Sequence, residues 1–145
     1  MTYSDDFVAE ALNRHFVPVQ VDFEKASKLV EQYRAVWTPN LNIVDGRERR
    51  VFHVEGWLPA SELLAMLETA RGQYYLRSKK YDEAAASFKA VFDKYPFSVY
   101  APQALYYRGV GRYLATHEVE ALKEEWILLQ RFYPSSGWAV KSNII

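Results

Sequence analysis

The first seventy residues alternate between two hydrophobic periods. Phe7, Val8, Ala11 and Leu12 recur at helical spacing behind Ser4 and Asp5, both good N-cap residues, so the pattern predicts a helix ending near His15. Phe16-Val17-Pro18-Val19-Gln20-Val21-Asp22 then switches to period two with Val17, Val19 and Val21 on one face, which predicts a short strand. A second amphipathic helix is expected from about Glu24 to Arg34, with Ala26, Leu29, Val30 and Tyr33 as its stripe, stopped by Trp37-Thr38-Pro39. Leu41-Asn42-Ile43-Val44, the turn Asp45-Gly46 and Val51-Phe52-His53-Val54 predict a β-hairpin whose loop could extend through Arg49. Pro59 suits the start of a helix whose buried face is Leu63, Leu64, Met66 and Leu67. The expected order is αβαββα.

From about residue 68 no strand pattern remains, and the spacing predicts helices over 68–78, 81–95, 99–115 and 118–133. Two of them end on the same local phrase, Phe92-Asp93-Lys94-Tyr95-Pro96 and Gln130-Arg131-Phe132-Tyr133-Pro134, with the prolines 38 positions apart. A period of that size, one helix pair per unit, is the mark of a helical repeat array.

Composition narrows the function more by exclusion than by pointing. Eighteen basic and eighteen acidic side chains are interspersed in 145 residues, which disfavours a nucleic-acid partner, since phosphate binding draws on clustered positive charge. Arg47, Arg49 and Arg50 are diluted by Glu48 beside a turn, and read as a solvated hairpin. No stretch is apolar for the length of a membrane span, and Met1-Thr2-Tyr3-Ser4-Asp5-Asp6 lacks the basic, apolar start of a secretory signal, so a cytoplasmic location is the default expectation. There is no cysteine, which removes disulfides, thiolate ligands and a thiol nucleophile together. The three histidines, His15, His53 and His117, stand at no metal-ligand spacing, and Glu124-Glu125 and Asp5-Asp6 read as solvating faces and caps. No Gly-rich phosphate loop or nucleophile elbow is present, so neither a cofactor nor catalytic residues are expected.

Thr2-Tyr3-Ser4-Asp5, the 16–22 segment, Thr38-Pro39, Asp45-Gly46 and Gly56-Trp57, taken in that order, resemble a thioredoxin-like domain without its first strand. In that family the first strand leads to a Cys-x-x-Cys, and a Thr-Pro pair carries a cis-proline beside which an extended peptide pairs. The resemblance therefore implies that Thr38-Pro39 is cis and makes Trp37, Thr38 and Pro39 a candidate peptide site, although Pro39 also suits the start of an edge strand. The missing strand would lie between Val17–Asp22 and the hairpin. Its loss would leave these to close on each other, to borrow a strand from another chain as a strand-exchanged homodimer, or to fold loosely.

The second half resembles tetratricopeptide repeats. Gly72, Tyr75, Tyr81, Ala84, Phe88 and Pro96 match one repeat, Tyr106, Tyr113, Leu122, Trp126 and Pro134 match a second, and Ser135-Ser136-Gly137-Trp138-Ala139 resembles the opening of another. In such arrays the first helices line a concave surface, here with Gln73, Leu76, Arg77, Tyr107, Gly111 and Leu114. The Lys and Asn residues that clamp a C-terminal carboxylate in some members are missing, so the resemblance implies a protein partner presenting an apolar or extended segment. Tyr74, Tyr75, Tyr106, Tyr107 and Tyr113 are equally suited to filling the core.

The expected architecture is α/β plus all-α: an incomplete thioredoxin-like domain over 1–70, then tetratricopeptide-like hairpins over 71–145, sharing a helix near 59–71. The expected function is non-catalytic protein interaction. The alternative is a fragment of a thiol-disulfide oxidoreductase whose cysteines lie upstream of Met1.

Overall fold

In the computed structural model of the protein, which describes residues 2–144, the chain forms two compact units, Met1–Leu64 and Ala65–Ile145. The class is mixed: among the described residues there are seven α-helices and a single two-stranded antiparallel sheet.

In the first unit a 3₁₀ turn, Thr2–Ser4, precedes helix α1, Asp6–His15. The Asp5 carboxylate caps α1 by accepting from the Phe7 and Val8 amides at 2.9 and 3.1 Å, which satisfies two donors that the helix itself leaves open. The Thr2 hydroxyl donates to the Leu58 carbonyl at 2.8 Å and ties the turn to the segment before the third helix.

The strand expected at Phe16–Asp22 is not formed. A period-two pattern makes a strand only where a second strand supplies hydrogen bonds, and among the described residues nothing pairs with this segment. Val17, Val19 and Val21 are exposed instead. The order αβαββα is therefore corrected to ααββα.

The second helix is shorter than expected. The Asp22 carboxylate accepts from the Glu24 amide at 2.9 Å, and a turn follows, so α2 covers only Ser27–Gln32. Arg34, at φ 51°, ends that segment, and the Thr38-Pro39 bond is cis.

The hairpin forms as expected, with β1 at Asn40–Val44 and β2 at Arg50–Glu55, and Ile43 opposite Phe52. A register shift after Ile43 accommodates the loop, which does extend through Arg49. The Asp45 carboxylate organises that loop, accepting from the amides of Arg47 and Arg49 and from the Arg49 guanidinium. Glu48 takes a left-handed conformation at φ 60°. Val8, Val51 and Leu63 are the buried hydrophobic residues among those described in this unit.

The two helices drawn at 59–71 and 68–78 are one, α3, Ala60–Arg77, and the boundary between the units falls within it. The later helices follow the sequence pattern closely: α4 is Tyr81–Lys94, α5 Ala101–Thr116, α6 Val119–Phe132 and α7 Gly137–Lys141. Helices α4 and α6 start and stop 38 residues apart, the same period as the repeated phrase.

That offset extends to backbone detail. Lys79 and His117, just before α4 and α6, are both left-handed at φ 58° and 60°, the conformation that lets a chain leave one helix and enter an antiparallel one. Tyr95 and Tyr133 end α4 and α6 at φ −130°, ψ 53° and φ −133°, ψ 51°. The amides of Ser98 and Ser136 then bond to the Tyr95 and Tyr133 carbonyls, each at 3.0 Å. Ala101 and Ala139 are buried at equivalent points, so α7 occupies the position of a third opening turn.

Packing explains why the pairs close. Phe88 on α4 is wholly buried and lies against Gly72 of α3, where an added Cβ would come within 2.5 Å of its ring. Trp126 on α6, 38 residues later, meets Gly109 of α5 in the same way, at 3.0 Å. A large aromatic residue on the second helix thus excludes a side chain at Gly72 and leaves little room for one at Gly109. Phe88, Ala84 and Val91 join Ala65 and Ala104 in one core, and Leu105, Leu129 and Ala139 form another.

Candidate functional site

Of the candidate residues of the second unit, Gln73, Leu76 and Arg77 lie on α3 and Tyr107, Gly111 and Leu114 on α5. Tyr106 stacks on Trp126 with ring centres 4.8 Å apart, and the indole donates to the Tyr106 carbonyl at 3.1 Å. Tyr107 stacks on Phe88 at 6.0 Å and meets Trp138 of α7 edge-on at 5.4 Å. Lys141 lies over the face of Trp138, 4.1 Å from its centre, which is cation–π geometry. Both tyrosines are half-buried, so packing and partial exposure coexist at this stripe.

After the tyrosines come two arginines, Arg108 and Arg112, that turn towards α6. Glu125 of α6 is only 2% exposed, and Arg112 donates to its Oε1 at 2.7 Å while also reaching Glu124 at 2.9 Å. Arg108 Nη1 stands 3.0 Å from Oε2 at ion-pair distance, without the alignment of a hydrogen bond. Two guanidiniums on one carboxylate compensate its burial. The hydrogen bond from Arg112 to Glu125 is the chief reason that guanidinium is held more firmly protonated than usual.

The reading of Glu124-Glu125 as solvating residues therefore holds for Glu124 and fails for Glu125. The sequence did carry a signal, since Arg108 and Arg112 are one helical turn apart and face the same strip of the neighbouring helix.

With both arginines drawn to α6, the remaining surface of α5 presents Tyr107, Val110 and Leu114, all half-buried, at spacing i, i+3, i+7. Gly111 is buried, with an added Cβ lying 3.5 Å from Leu76 and 3.6 Å from the Tyr81 carbonyl, and serves close helix packing rather than a ligand. Gln73 is also buried. Its Oε1 accepts from Arg77 at 3.2 Å and its Nε2 has no partner among the described residues. Leu76 joins the core around Phe88, and Arg77 is exposed. Of the proposed concave residues, Tyr107 and Leu114 remain available on one helix, and Arg77 on another.

A shallow groove of about 300 Å³ between α3 and α4 is lined by Glu68, Arg71, Tyr75, Glu83, Ala86 and Ser87. Its arginine is committed to Glu68 at 3.0 Å and to the Tyr75 hydroxyl at 3.4 Å.

In the first unit Trp37 and Thr38 are exposed and Pro39 half-buried, with Trp37 projecting beside the cis bond. The Pro39 carbonyl is taken by the Gly56 amide at 2.8 Å, which closes the base of the hairpin. The histidines are dispersed: His53 Nε2 lies 3.1 Å from the Asn40 side chain, His117 packs edge-on to Tyr113, and His15 ends α1. No group of three metal-ligating side chains converges among the described residues, and no helix is long and apolar enough to cross a membrane. No family model matches the chain, and no curated protein or solved structure matches it.

Proposed function

We propose that the helical unit is a non-catalytic protein-interaction module, similar to tetratricopeptide repeats, joined to a cysteine-less, incomplete thioredoxin-like domain. Its ligand is an apolar or extended peptide segment laid along α5. The observation that carries this reading is the division of labour on α5: Arg108 and Arg112 are both drawn to Glu125, leaving a half-exposed apolar strip of Tyr107, Val110 and Leu114. Such i, i+3, i+7 anchors are a recurrent form of peptide recognition. The 38-residue offset of the helix pairs supports the array reading.

The test is affinity capture with the native chain beside a Tyr107→Ala, Leu114→Ala variant and a Val110→Glu variant. Partners recovered by the native chain and lost by both variants support the groove. Recovery of none, or of the same set by all three, counts against it.

A second reading, a fragment of a thioredoxin-family oxidoreductase, draws on the order of α1, α2, Thr38-Pro39, the hairpin and α3. It requires in-frame codons upstream of Met1 that encode a strand and a Cys-x-x-Cys. A stop codon directly upstream excludes it.

A further inference from the structure

We propose that Val17–Val21 is a pairing strand whose partner is the same segment of a second copy of this chain, antiparallel and centred on Val19. The segment runs without turn or bend between α1 and the Asp22 turn, and its backbone groups bond to no other described residue. Its apolar side chains are also unsatisfied: Val17 is 89% exposed and Val19 77%. Three β-branched residues at alternate positions, open to water with free backbone groups, form an edge built for pairing.

The residue types select the occupant. In a strand, alternate residues direct their N–H and C=O groups to the same edge. Val17, Val19 and Val21 keep that edge complete, whereas Pro18 removes a donor from the opposite one. The sequence Val-Pro-Val-Gln-Val is symmetric in its valines about Val19, so a two-fold axis there sets Val17 against Val21 twice and Val19 against itself, as a self-complementary interface requires.

Charge fixes the direction. Arg14, with His15 beside it, precedes the segment, whereas Asp22, Glu24 and Lys25 follow it with one net negative charge, Lys25 lying 3.8 Å from Asp22. Antiparallel pairing places the basic flank of each copy by the acidic flank of the other. Parallel pairing would set like beside like.

The absence of cysteine permits a clean test on the full chain. In the native chain, sedimentation from about 10 μM to about 1 mM should show reversible dimerisation, the range suited to a small interface. Val19→Cys should crosslink to itself on mild oxidation. Val17→Cys and Val21→Cys should each fail alone, since identical positions then lie about 13 Å apart, beyond disulfide reach, but should crosslink when mixed. Val19→Pro, which removes both central hydrogen bonds, should abolish the dimer, and Gln20→Pro, whose amide faces the other edge, should leave it intact.

A chain that stays monomeric throughout, equal crosslinking by all three single cysteines, no crosslinking by Val19→Cys, or a dimer insensitive to Val19→Pro would each overturn the proposal.

Discussion

Glu125 illustrates how a single residue organises a face it does not belong to. Its carboxylate is buried and shared by Arg108 and Arg112, whose own side chains retain some exposure. Glu125→Gln keeps the shape and removes the charge, leaving two guanidiniums with a neutral acceptor. The expected loss is about 2–3 kcal/mol by urea denaturation, just below the usual range for breaking a buried pair because both arginines still reach water. A shift under about 0.5 kcal/mol would mean that the cluster orients α5 without stabilising it. Asp45 gives the pH counterpart. The Arg49 amide leads the interactions that hold its carboxyl below the usual aspartate range. A folded pKa that is lowered contributes stability above the unfolded value and loses it as pH falls through the folded one. Amide exchange at Arg47 and Arg49 should therefore accelerate, after correction for intrinsic rates, on acidification through and below the ordinary aspartate range. Asp45→Asn should flatten that added dependence.

Among elements, those closed by local signals were legible and those closed by partners were not. Helices α4, α5 and α6 lie within one or two residues of their expected bounds because Pro96 and Pro134 stop α4 and α6 and the apolar spacing runs unbroken through each helix in the chain itself. The hairpin was legible for the same reason, through Asp45-Gly46. The 16–22 strand was not, because its hydrogen bonds must come from elsewhere, and the 24–34 helix shrank where Leu29 found little to bury against. The candidate face was half legible: Tyr107 and Leu114 stay accessible, whereas burial of Gln73 and Gly111 depends on neighbouring helices that periodicity alone does not place. Gly72 tests the pairing of α3 with α4. Alanine there adds helix propensity of about 1 kcal/mol but drives a methyl into Phe88, so Gly72→Ala should destabilise by about 1–3 kcal/mol net. Phe88→Leu in the same chain should recover part of that loss, whereas Phe88→Leu alone should be destabilising, a sign reversal readable in thermal melts.

At the scale of the molecule, the two units bury their hydrophobic residues unequally. Among the described residues, Val8, Val51 and Leu63 make up the buried apolar set of the first, whereas the second has cores around Phe88 and Leu105. Hydrogen exchange should accordingly show the hairpin amides opening at lower free energy than those at the centres of α4 and α5. The recurrence of the same backbone angles at Tyr95 and Tyr133 has a further consequence. A stretch of chain whose entry and exit have the same geometry behaves as a cassette. Copying residues 98–135 in tandem should extend the stack without disturbing either neighbour, and raise the denaturant dependence of the helical unit's unfolding by about half, in proportion to the surface added. Length is then a free variable of this architecture: the segment that decides how much surface the protein offers is also the one that can be added or removed whole.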